Sequence, residues 1–386
     1  MRPAARLQAA IEILDEVIAA TGSNGAAADT LIQRYFRDRR YAGSGDRAAI
    51  RELVFRGIRF SAERPASGRS LMLGLAENRH PELLALFDGS RHAALPPQPD
   101  EPRSSARPYP AWLQSELHDR FGAALDHEMQ ALLQRAPLDI RVNARKAERQ
   151  AIATALGGTP IAGLRHGVRL QGSPQLQSNP LLRDGAIEVQ DAGSQHVIEI
   201  AAAQPGETVI DLCAGGGGKT LALAADMAGR GRLIATDTNR ARLQAMQPRL
   251  QRAGVADFVE SRLLNPGDEL AALADLAGTA DLVLVDAPCS GTGTWRRNPE
   301  LRWRLTPQAL HRLHDIQTRL IGIGAGLLKP SGRLIYAVCS VLPSEGPAQI
   351  AEAPRKFGLR IATAQSLSPA SHGTDGFFVA SLGKIC

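Results

Sequence analysis

Two cysteines of this 386-residue chain stand directly after apolar runs, and a third such run leads into a stretch of glycines. Cys289 lies in DAPCSGTGTWRRNPELRWR (286–304), and Cys339 lies in YAVCSVLPSEG (336–346). A free cysteine is either a small buried apolar group or, as a thiolate, a nucleophile. If both runs are strands of one sheet, the two thiols can face one pocket. The tryptophans and arginines at 295–304 would then supply stacking surfaces and cations beside Cys289.

The glycine stretch, DLCAGGGGKT (211–220), can let a ligand approach the backbone closely at the start of a helix. A phosphate-binding GxxxxGK[ST] loop would fit Gly218, Lys219 and Thr220, but it requires glycine where Cys213 stands. The next apolar run ends in Asp237, whose carboxylate can accept hydrogen bonds from ribose hydroxyls or cap the following helix. Together the two features predict a nucleoside site without a polyphosphate cradle.

From residue 186 onward, short apolar runs alternate with helical patterns, which indicates a parallel sheet covered on both faces. Ligands of such sheets lie beyond the carboxyl ends of the strands, where the residues above are found. The predicted strands are TVIDLC (208–213), RLIATD (232–237), DFVES (257–261), DLVLVDAP (281–288) and GRLIYAVCS (332–340), and the predicted helices are 219–228, 240–253, 267–277 and 306–328.

The first half of the chain has a different pattern. Helical periodicity over 5–20 and 46–60 predicts an all-helical domain at 1–92, and the Pro- and Ser-rich 93–110 predicts a linker. Residues 111–185 mix helical and strand patterns, as in a small α+β unit, before the α/β domain at 186–386. The basic stretch RYFRDRRYAGSGDR (34–47) contains Tyr35, Phe36 and Tyr41, which suit either RNA stacking or a solvated turn with two core aromatics.

Composition narrows the class of protein. The chain is 44% hydrophobic and 22% charged, which is globular, and it has neither a membrane-length apolar run nor a signal-like N-terminus, so we expect a cytoplasmic protein. Its net charge of +6 is compatible with a nucleic-acid partner, although biased codon usage explains the many arginines equally well. The cysteines, Cys213, Cys289, Cys339 and Cys386, form no CxxC pair, so we expect free thiols and no metal site. Nothing requires more than a monomer.

These segments resemble those of the NOL/NOP/Sun RNA (cytosine-5) methyltransferases, in particular their bacterial Sun-type 16S ribosomal RNA branch. VQDAGSQ (189–195), LKPSGRLIYAVCSVLPSEG and DGFFVASL (375–382) extend the resemblance, which continues at lower specificity through APLDIRVN (136–143) and GDRAAIRELVFRGIR (45–59). It implies an α/β fold with a Rossmann-like class I S-adenosylmethionine-dependent methyltransferase domain, a small α+β subdomain and a NusB-like RNA-binding helical domain. It also implies S-adenosylmethionine as cofactor and RNA, ribosomal RNA above all, as substrate.

The resemblance assigns roles to individual residues. Cys339 would attack the base, Cys289 would assist the later elimination, and Asp286 would contact the base edge. DNA cytosine-5 methyltransferases use a cysteine in a Pro-Cys context like that of Cys289, so the swapped assignment stays open. The implied cofactor-binding residues are Cys213, Ala214, Gly215, Gly216, Gly217, Gly218, Lys219, Asp237 and Asp286.

Two positions depart from the family pattern. Gly216 stands where the family usually has proline, which predicts a looser turn. Arg262 stands where an acidic residue commonly holds the adenine amino group, and Asp257 and Glu260 are the nearby acidic alternatives. A non-catalytic RNA-binding assembly factor with this fold is one alternative function, with Arg262 as its only support. A P-loop nucleotidase is the other, and Cys213 argues against it.

Overall fold

The structure, a computed structural model, describes residues 1–22, 25–172 and 174–385, so Cys386 lies outside the described residues. The chain forms two compact units. One comprises Met1–Arg135 and Thr294–Pro307, and the other comprises Ala136–Gly293 and Gln308–Cys386. The division predicted from sequence, at 92/93, 110/111 and 185/186, follows changes in sequence pattern rather than packing and stays a prediction.

Helices and strands alternate along most of the second unit, while helices dominate the first. The helices are α1 (Pro3–Thr21), α2 (Ala28–Asp38), α3 (Ser44–Phe60), α4 (Gly68–Asn78), α5 (Gln114–Phe121), α6 (Leu125–Leu133), α7 (Arg149–Leu156), α8 (Pro180–Arg183), α9 (Ala192–Ala201), α10 (Gly218–Asp226), α11 (Arg240–Ala253), α12 (Glu269–Ala272), α13 (Leu301–Arg304), α14 (Pro307–Leu327), α15 (Pro347–Ala351), α16 (Ala353–Phe357) and α17 (Pro369–His372). The strands are β1 (Leu138–Val142), β2 (Gly158–Pro160), β3 (Gly167–Leu170), β4 (Ile187–Val189), β5 (Thr208–Asp211), β6 (Arg232–Asp237), β7 (Val259–Leu263), β8 (Ala280–Asp286), β9 (Leu328–Val338), β10 (Leu359–Leu367) and β11 (Phe377–Lys384). None of the described helices is long and apolar enough to cross a bilayer.

The first unit is built around the apolar faces of α1 to α4. Leu7 and Leu14 recur at helical spacing on α1, Ile50 lies on the apolar face of α3, and all three are fully buried, as the sequence predicts. In the basic stretch 34–47, Tyr35 and Phe36 belong to this core, whereas Tyr41 is 72% exposed. The alternative with two core aromatics is therefore right about burial, although Tyr35 and Phe36 lie in α2 rather than in a turn.

Residues 93–110 have no regular structure beyond a bridge between Ser61 and Arg107, yet they are fixed to the helices beside them. Backbone N–H groups of Ser104 and Arg107 donate to the carbonyls of Ser70 and Phe60 at 3.0 and 3.1 Å. The predicted linker is thus part of the helical unit, because α3 and α4 supply acceptors that a Pro-rich segment can use without forming a helix.

The segment Thr294–Pro307 also belongs to the helical unit, although it follows β8 in the chain. Trp303 is buried in the core of α1 to α4, and the Arg302 side chain is 1% exposed. Trp295 and Arg296 are likewise buried. The expected open surface of stacking and cationic groups at 295–304 is therefore wrong for these four residues, because their apolar surface and guanidinium donors are used in packing.

The second unit contains two sheets. The smaller is antiparallel, with strand order β2-β3-β1-β4 and its own apolar core that includes Ile140, Ile152 and Val168. The larger has the order β10-β11-β9-β8-β5-β6-β7, in which β9-β8-β5-β6-β7 are parallel. β11 pairs with β9 and β10 in antiparallel fashion, so the sheet is mixed rather than wholly parallel.

The parallel strands place the carboxyl ends of β5, β6, β8 and β9 at one edge of the larger sheet. These strands and their intervening helices agree with the predicted ones to within a few residues, except that the predicted helix 267–277 is split. α12 ends at Ala272, whose carbonyl accepts a hydrogen bond from Arg262, and a short 3-10 turn follows over Ala274–Leu276.

Candidate functional site

The two cysteine sulfurs meet at the ends of adjacent strands. Asp286 is the last residue of β8 and pairs with Ala337 of β9, so the chain beyond each strand leaves the sheet at the same level. Cys289 Sγ and Cys339 Sγ lie 3.4 Å apart, and both side chains are partly exposed. This distance confirms the expected convergence of the two sulfurs, while their chemical roles stay predictions.

The surroundings of Cys289 shift the pKa of its thiol. The hydrogen bond with Cys339, then burial and nearby negative charge, hold the pKa of Cys289 well above the ordinary value for a thiol. Cys289 therefore keeps its proton at neutral pH, and a protonated thiol is a poor nucleophile.

Lys219 and Asp286 form an ion pair beside the cysteines. Lys219 Nζ lies 2.7 Å from Asp286 Oδ2 and 5.7 Å from the centroid of the Phe377 ring. Burial lowers the pKa of Lys219, but the charge and hydrogen bond of Asp286 together with the charge of Cys339 outweigh it, so the pKa is raised. The ammonium of Lys219 is thus paired with a carboxylate, whereas the lysine of a P-loop binds phosphates.

The glycine turn and Asp237 fit a nucleoside-bearing cofactor. Asp237 Oδ2 accepts from Gly215 N at 2.9 Å and Oδ1 accepts from Asn239 N at 2.7 Å, which fixes a carboxylate that still has lone pairs for ribose hydroxyls. A Cβ at Gly215 (φ +55°) would meet nothing within 4 Å, so a ligand can approach the backbone there. Asn239 is the N-cap of α11, so the capping role considered for Asp237 belongs to its neighbour.

Other residues of the turn have structural partners. The Gly216 carbonyl accepts a hydrogen bond from Arg249, which restrains the turn at the position where the family has proline. Gly217 adopts φ +82°, and a Cβ there would lie 2.4 Å from the Met246 side chain, so this position requires glycine. Burial raises the pKa of Cys213 well above its usual value, which makes it a packing thiol in its own right. Contact of Cys213 or Ala214 with the cofactor stays a prediction.

Arg262 is not available to an adenine. Its guanidinium bonds to both carboxylate oxygens of Asp275, at 2.6 and 2.9 Å, and also to Glu260. These carboxylates raise the pKa of Arg262 above its ordinary value. The departure from the family pattern is therefore a structural ion-pair cluster that joins β7 to the turn after α12, and Glu260 is engaged in it.

Sequence reasoning missed a polar cluster next to the cysteines, made of Ser290, Thr292, Gln317, Ser340 and Glu345, all buried. Its members lie in three separate segments, and only their juxtaposition in the fold reveals them. Within the described part of the chain, no three His, Cys, Asp or Glu side chains group as a metal ion would require.

The fold and the site define an S-adenosylmethionine-dependent methyltransferase: a parallel-centred sheet, a glycine turn after the first parallel strand, and an acidic residue after the second. Comparison with known proteins gives the family. The family described as "16S rRNA methyltransferase RsmB/F" matches residues 198–383, and the "Methyltr_RsmF/B-like, ferredoxin-like domain" matches 109–173.

Individual relatives support the same family assignment. The chain is 33% identical over 302 residues to the probable ribosomal RNA small subunit methyltransferase B of Synechocystis, covering 72% of this chain and 67% of that protein. It is 31% identical to the ribosomal RNA small subunit methyltransferase B of Sodalis glossinidius, covering 81% and 75%. A methyltransferase homologue from Pyrococcus horikoshii has 26% identity and a TM-score of 0.63 over 72% of this chain and 96% of that one. The chain therefore belongs to the RsmB/F family of methyltransferases.

Proposed function

We propose that this protein methylates carbon 5 of a cytosine in RNA, with 16S ribosomal RNA as the substrate, through a covalent bond between Cys339 and the base. The observation that carries the proposal is the 3.4 Å separation of the Cys289 and Cys339 sulfurs beside the Lys219–Asp286 ion pair. The relatives named for ribosomal RNA methylation support the choice of substrate. A ribosomal RNA substrate also fits the cytoplasmic location expected from the sequence.

The reaction explains why a thiolate is needed. Carbon 5 of cytosine is a poor nucleophile until a nucleophile adds to carbon 6 and converts the ring to an enamine. Cys339 forms the sulfur–carbon bond, and the electron pair of the C5–C6 double bond becomes available at carbon 5. The pKa of Cys289 is held well above the ordinary value of a thiol, so Cys289 is a poor nucleophile at neutral pH, which supports this assignment over the swapped one.

We assign Asp286 to contact the edge of the base that carries N3 and the exocyclic amine. Its Oδ2 bonds to Lys219, and its side chain is 29% exposed, so it retains accessible surface for a ligand. A carboxylate there can accept from the exocyclic amine or promote protonation at N3, which draws electrons from carbon 6. The target base must leave its stack to reach the site.

S-adenosylmethionine supplies an electrophilic methyl group when it is bound. The glycine turn and Asp237 would hold its nucleoside part. The Asp237 carboxylate is fixed in place with lone pairs left for ribose hydroxyls, and the backbone at Gly215 is open to a ligand. After transfer, solvent water accepts the proton from carbon 5, the electron pair of that C–H bond re-forms the double bond, and the electron pair of the sulfur–carbon bond returns to Cys339. Cys289, in contact with that sulfur, is the residue we assign to assist this elimination.

A trapping experiment tests the assignment of Cys339. RNA containing 5-fluorocytosine should form a stable covalent adduct with the wild-type protein, because fluorine at carbon 5 blocks elimination. We expect no adduct with Cys339→Ala, measured as a shifted band on a denaturing gel. Cys386→Ala, which removes a thiol to which no role is assigned, is the matched control and should form the adduct. An adduct with Cys339→Ala would refute the assignment.

The role of Cys289 has a separate test. Cys289→Ala should accumulate an adduct with unfluorinated RNA when S-adenosylmethionine is present, because attack proceeds and release is slowed. The measurement is the same gel, with and without ribonuclease treatment. If Cys289→Ala turns over without accumulating an adduct, Cys289 has no part in release.

A further inference from the structure

One fully buried carboxylate, that of Glu345, bonds to the turn that carries Cys289. Its Oε1 accepts from the backbone N–H of Ser290 at 2.8 Å and from Gln317 Nε2 at 3.0 Å. Its Oε2 accepts from the hydroxyl of Ser290. Glu345 itself belongs to the turn after Cys339, and the hydroxyl of Tyr336 on β9 donates to its carbonyl at 2.7 Å. The side chain therefore spans from the second cysteine turn to the first.

Hydroxyl groups add further bonds between the same two turns. Thr292 Oγ1 and Ser340 Oγ lie 2.9 Å apart, and Thr292 Oγ1 also accepts from Val341 N at 3.0 Å. The backbone N–H of Gly293 donates to the Cys339 carbonyl at 3.1 Å. Every one of these groups lies within a few residues of a cysteine, and Thr292, Ser340 and Glu345 are at most 1% exposed.

The strands alone do not set the sulfur separation. The regular pairing of β8 with β9 ends at Asp286 and Ala337, and Ala287 N makes the last bond, to the Ala337 carbonyl. Cys289 and Cys339 lie beyond that point. Their distance therefore depends on the bonds between the two turns, and the Glu345 side chain makes two of them, both with Ser290.

We propose that Glu345 is a positioning residue that holds the Cys289 turn at the correct distance from Cys339. It acts through Ser290 rather than by touching the base. Buried hydrogen bonds to a charged acceptor are stronger than neutral ones and cost the most when one partner is removed. Its effect on methyl transfer rests on the proposed function, whereas its effect on the sulfur separation does not.

Disulfide formation measures the sulfur separation directly. Diamide takes up two protons and two electrons from the two thiols, and a disulfide of about 2.05 Å then replaces the 3.4 Å contact. Wild type should form the Cys289–Cys339 bond readily, as detected by mass spectrometry of peptides. Glu345→Ala and the shorter Glu345→Asp should form it at least about tenfold more slowly, because the bonds to Ser290 are lost.

Glu345→Gln keeps the length of the side chain and removes its charge, so it tests the two properties separately. Its carbonyl oxygen can still accept from Ser290 N and Gln317, and its amide can donate to the Ser290 hydroxyl. It should therefore cross-link at nearly the wild-type rate. Glu269→Ala, which removes a carboxylate that is 3% exposed and bonded to Arg319, is the matched control for loss of a buried acid and should also cross-link normally.

Kinetics supply a second readout in the same variants. Glu345→Ala should lower kcat by about 100-fold, the size expected from an error of about 1 Å in reacting groups, with the affinity for S-adenosylmethionine unchanged. Glu345→Gln should restore kcat to near the wild-type value. Circular dichroism shows whether Glu345→Ala is folded; if it is not, the comparison of Glu345→Asp with Glu345→Gln carries the test.

The outcomes separate the two proposals. Cross-linking of the Ala and Asp variants at the wild-type rate would overturn the positioning role whatever the protein methylates. Slow cross-linking of the wild type would overturn it as well. Normal cross-linking behaviour in a protein that methylates no RNA cytosine would instead refute the proposed function and leave the positioning role intact.

Discussion

Asp211 at the end of β5 is a buried acid with only half of its hydrogen-bonding capacity used. Its Oδ2 accepts from Thr220 Oγ1 at 2.7 Å, whereas Oδ1 has no partner among the described residues. Burial, partly opposed by the Thr220 bond, raises the pKa of Asp211 from 3.8 to about 7. The folded protein therefore holds a proton here that the unfolded chain releases near pH 4.

This shift predicts that the free energy of unfolding decreases as the pH rises. Below about pH 4 the Asp211 carboxyl is protonated in both the folded and the unfolded state. Between about pH 4 and pH 7 only the folded state keeps the proton, so the folded state loses its advantage as the pH rises through this range. A shift of about three units corresponds to about 4 kcal/mol, fully lost above pH 8. Asp211→Asn is neutral throughout, so its stability should change less between pH 5 and pH 8.

Urea unfolding at several pH values, followed by circular dichroism, measures the difference. Asp211→Asn should be less stable than wild type at pH 5, because its amide leaves an unpaired donor. The difference in the free energy of unfolding between the variant and wild type should become smaller as the pH rises. Asp100→Asn, at an exposed aspartate, should run parallel to wild type. Equal slopes for Asp211→Asn and wild type would contradict the raised pKa.

At the scale of elements, strand ends were the predictable part of the site. The apolar runs before Asp211, Asp237, Cys289 and Cys339 are long enough and β-branched enough to specify buried parallel strands, so topology alone brings their ends to one edge. Side-chain partners were not predictable, because Glu345 meets Ser290 only after two turns fold against each other. No periodicity signals a contact of that kind.

The antiparallel strands illustrate a second limit. No strand is predicted from the sequence over β11, and the direction of a strand is set by chain connections and not by composition. Similarly, the motif position of Arg262 predicts the loss of a cofactor contact, whereas the sequence does not show that Asp275 is the partner of Arg262. The function assigned to a single unusual residue therefore depends on which residues its side chain contacts in the fold.

At the scale of the whole molecule, the segment Thr294–Pro307 interrupts the methyltransferase unit in sequence and completes the helical unit in structure. Its side chains satisfy carbonyls of that unit. Arg302 donates to the carbonyls of Pro108 and Ile58, and Trp303 Nε1 donates to the Ser61 carbonyl at 2.9 Å. Burial lowers the pKa of Arg302 to about 9, so it remains charged at neutral pH.

The helical unit should therefore depend on a residue far from it in sequence. Trp303→Ala removes a large side chain that is 6% exposed and should destabilise this unit by about 3–5 kcal/mol. Hydrogen exchange on the full chain locates the loss: amides of α1 and α3, which share a core with Trp303, should exchange faster, whereas those of β5 and β6 should keep their protection.

Trp112→Ala is the matched control, because Trp112 lies in the same unit but is 39% exposed and should change the exchange of α1 and α3 little. Arg302→Lys tests the hydrogen bonds separately: an ammonium cannot reach several carbonyls in a fixed plane, so protection should fall here too. Unchanged exchange in α1 and α3 for Trp303→Ala would show that helices α1 to α4 are stable without this segment. A loss confined to β5 and β6 would mean that the segment supports the methyltransferase unit instead.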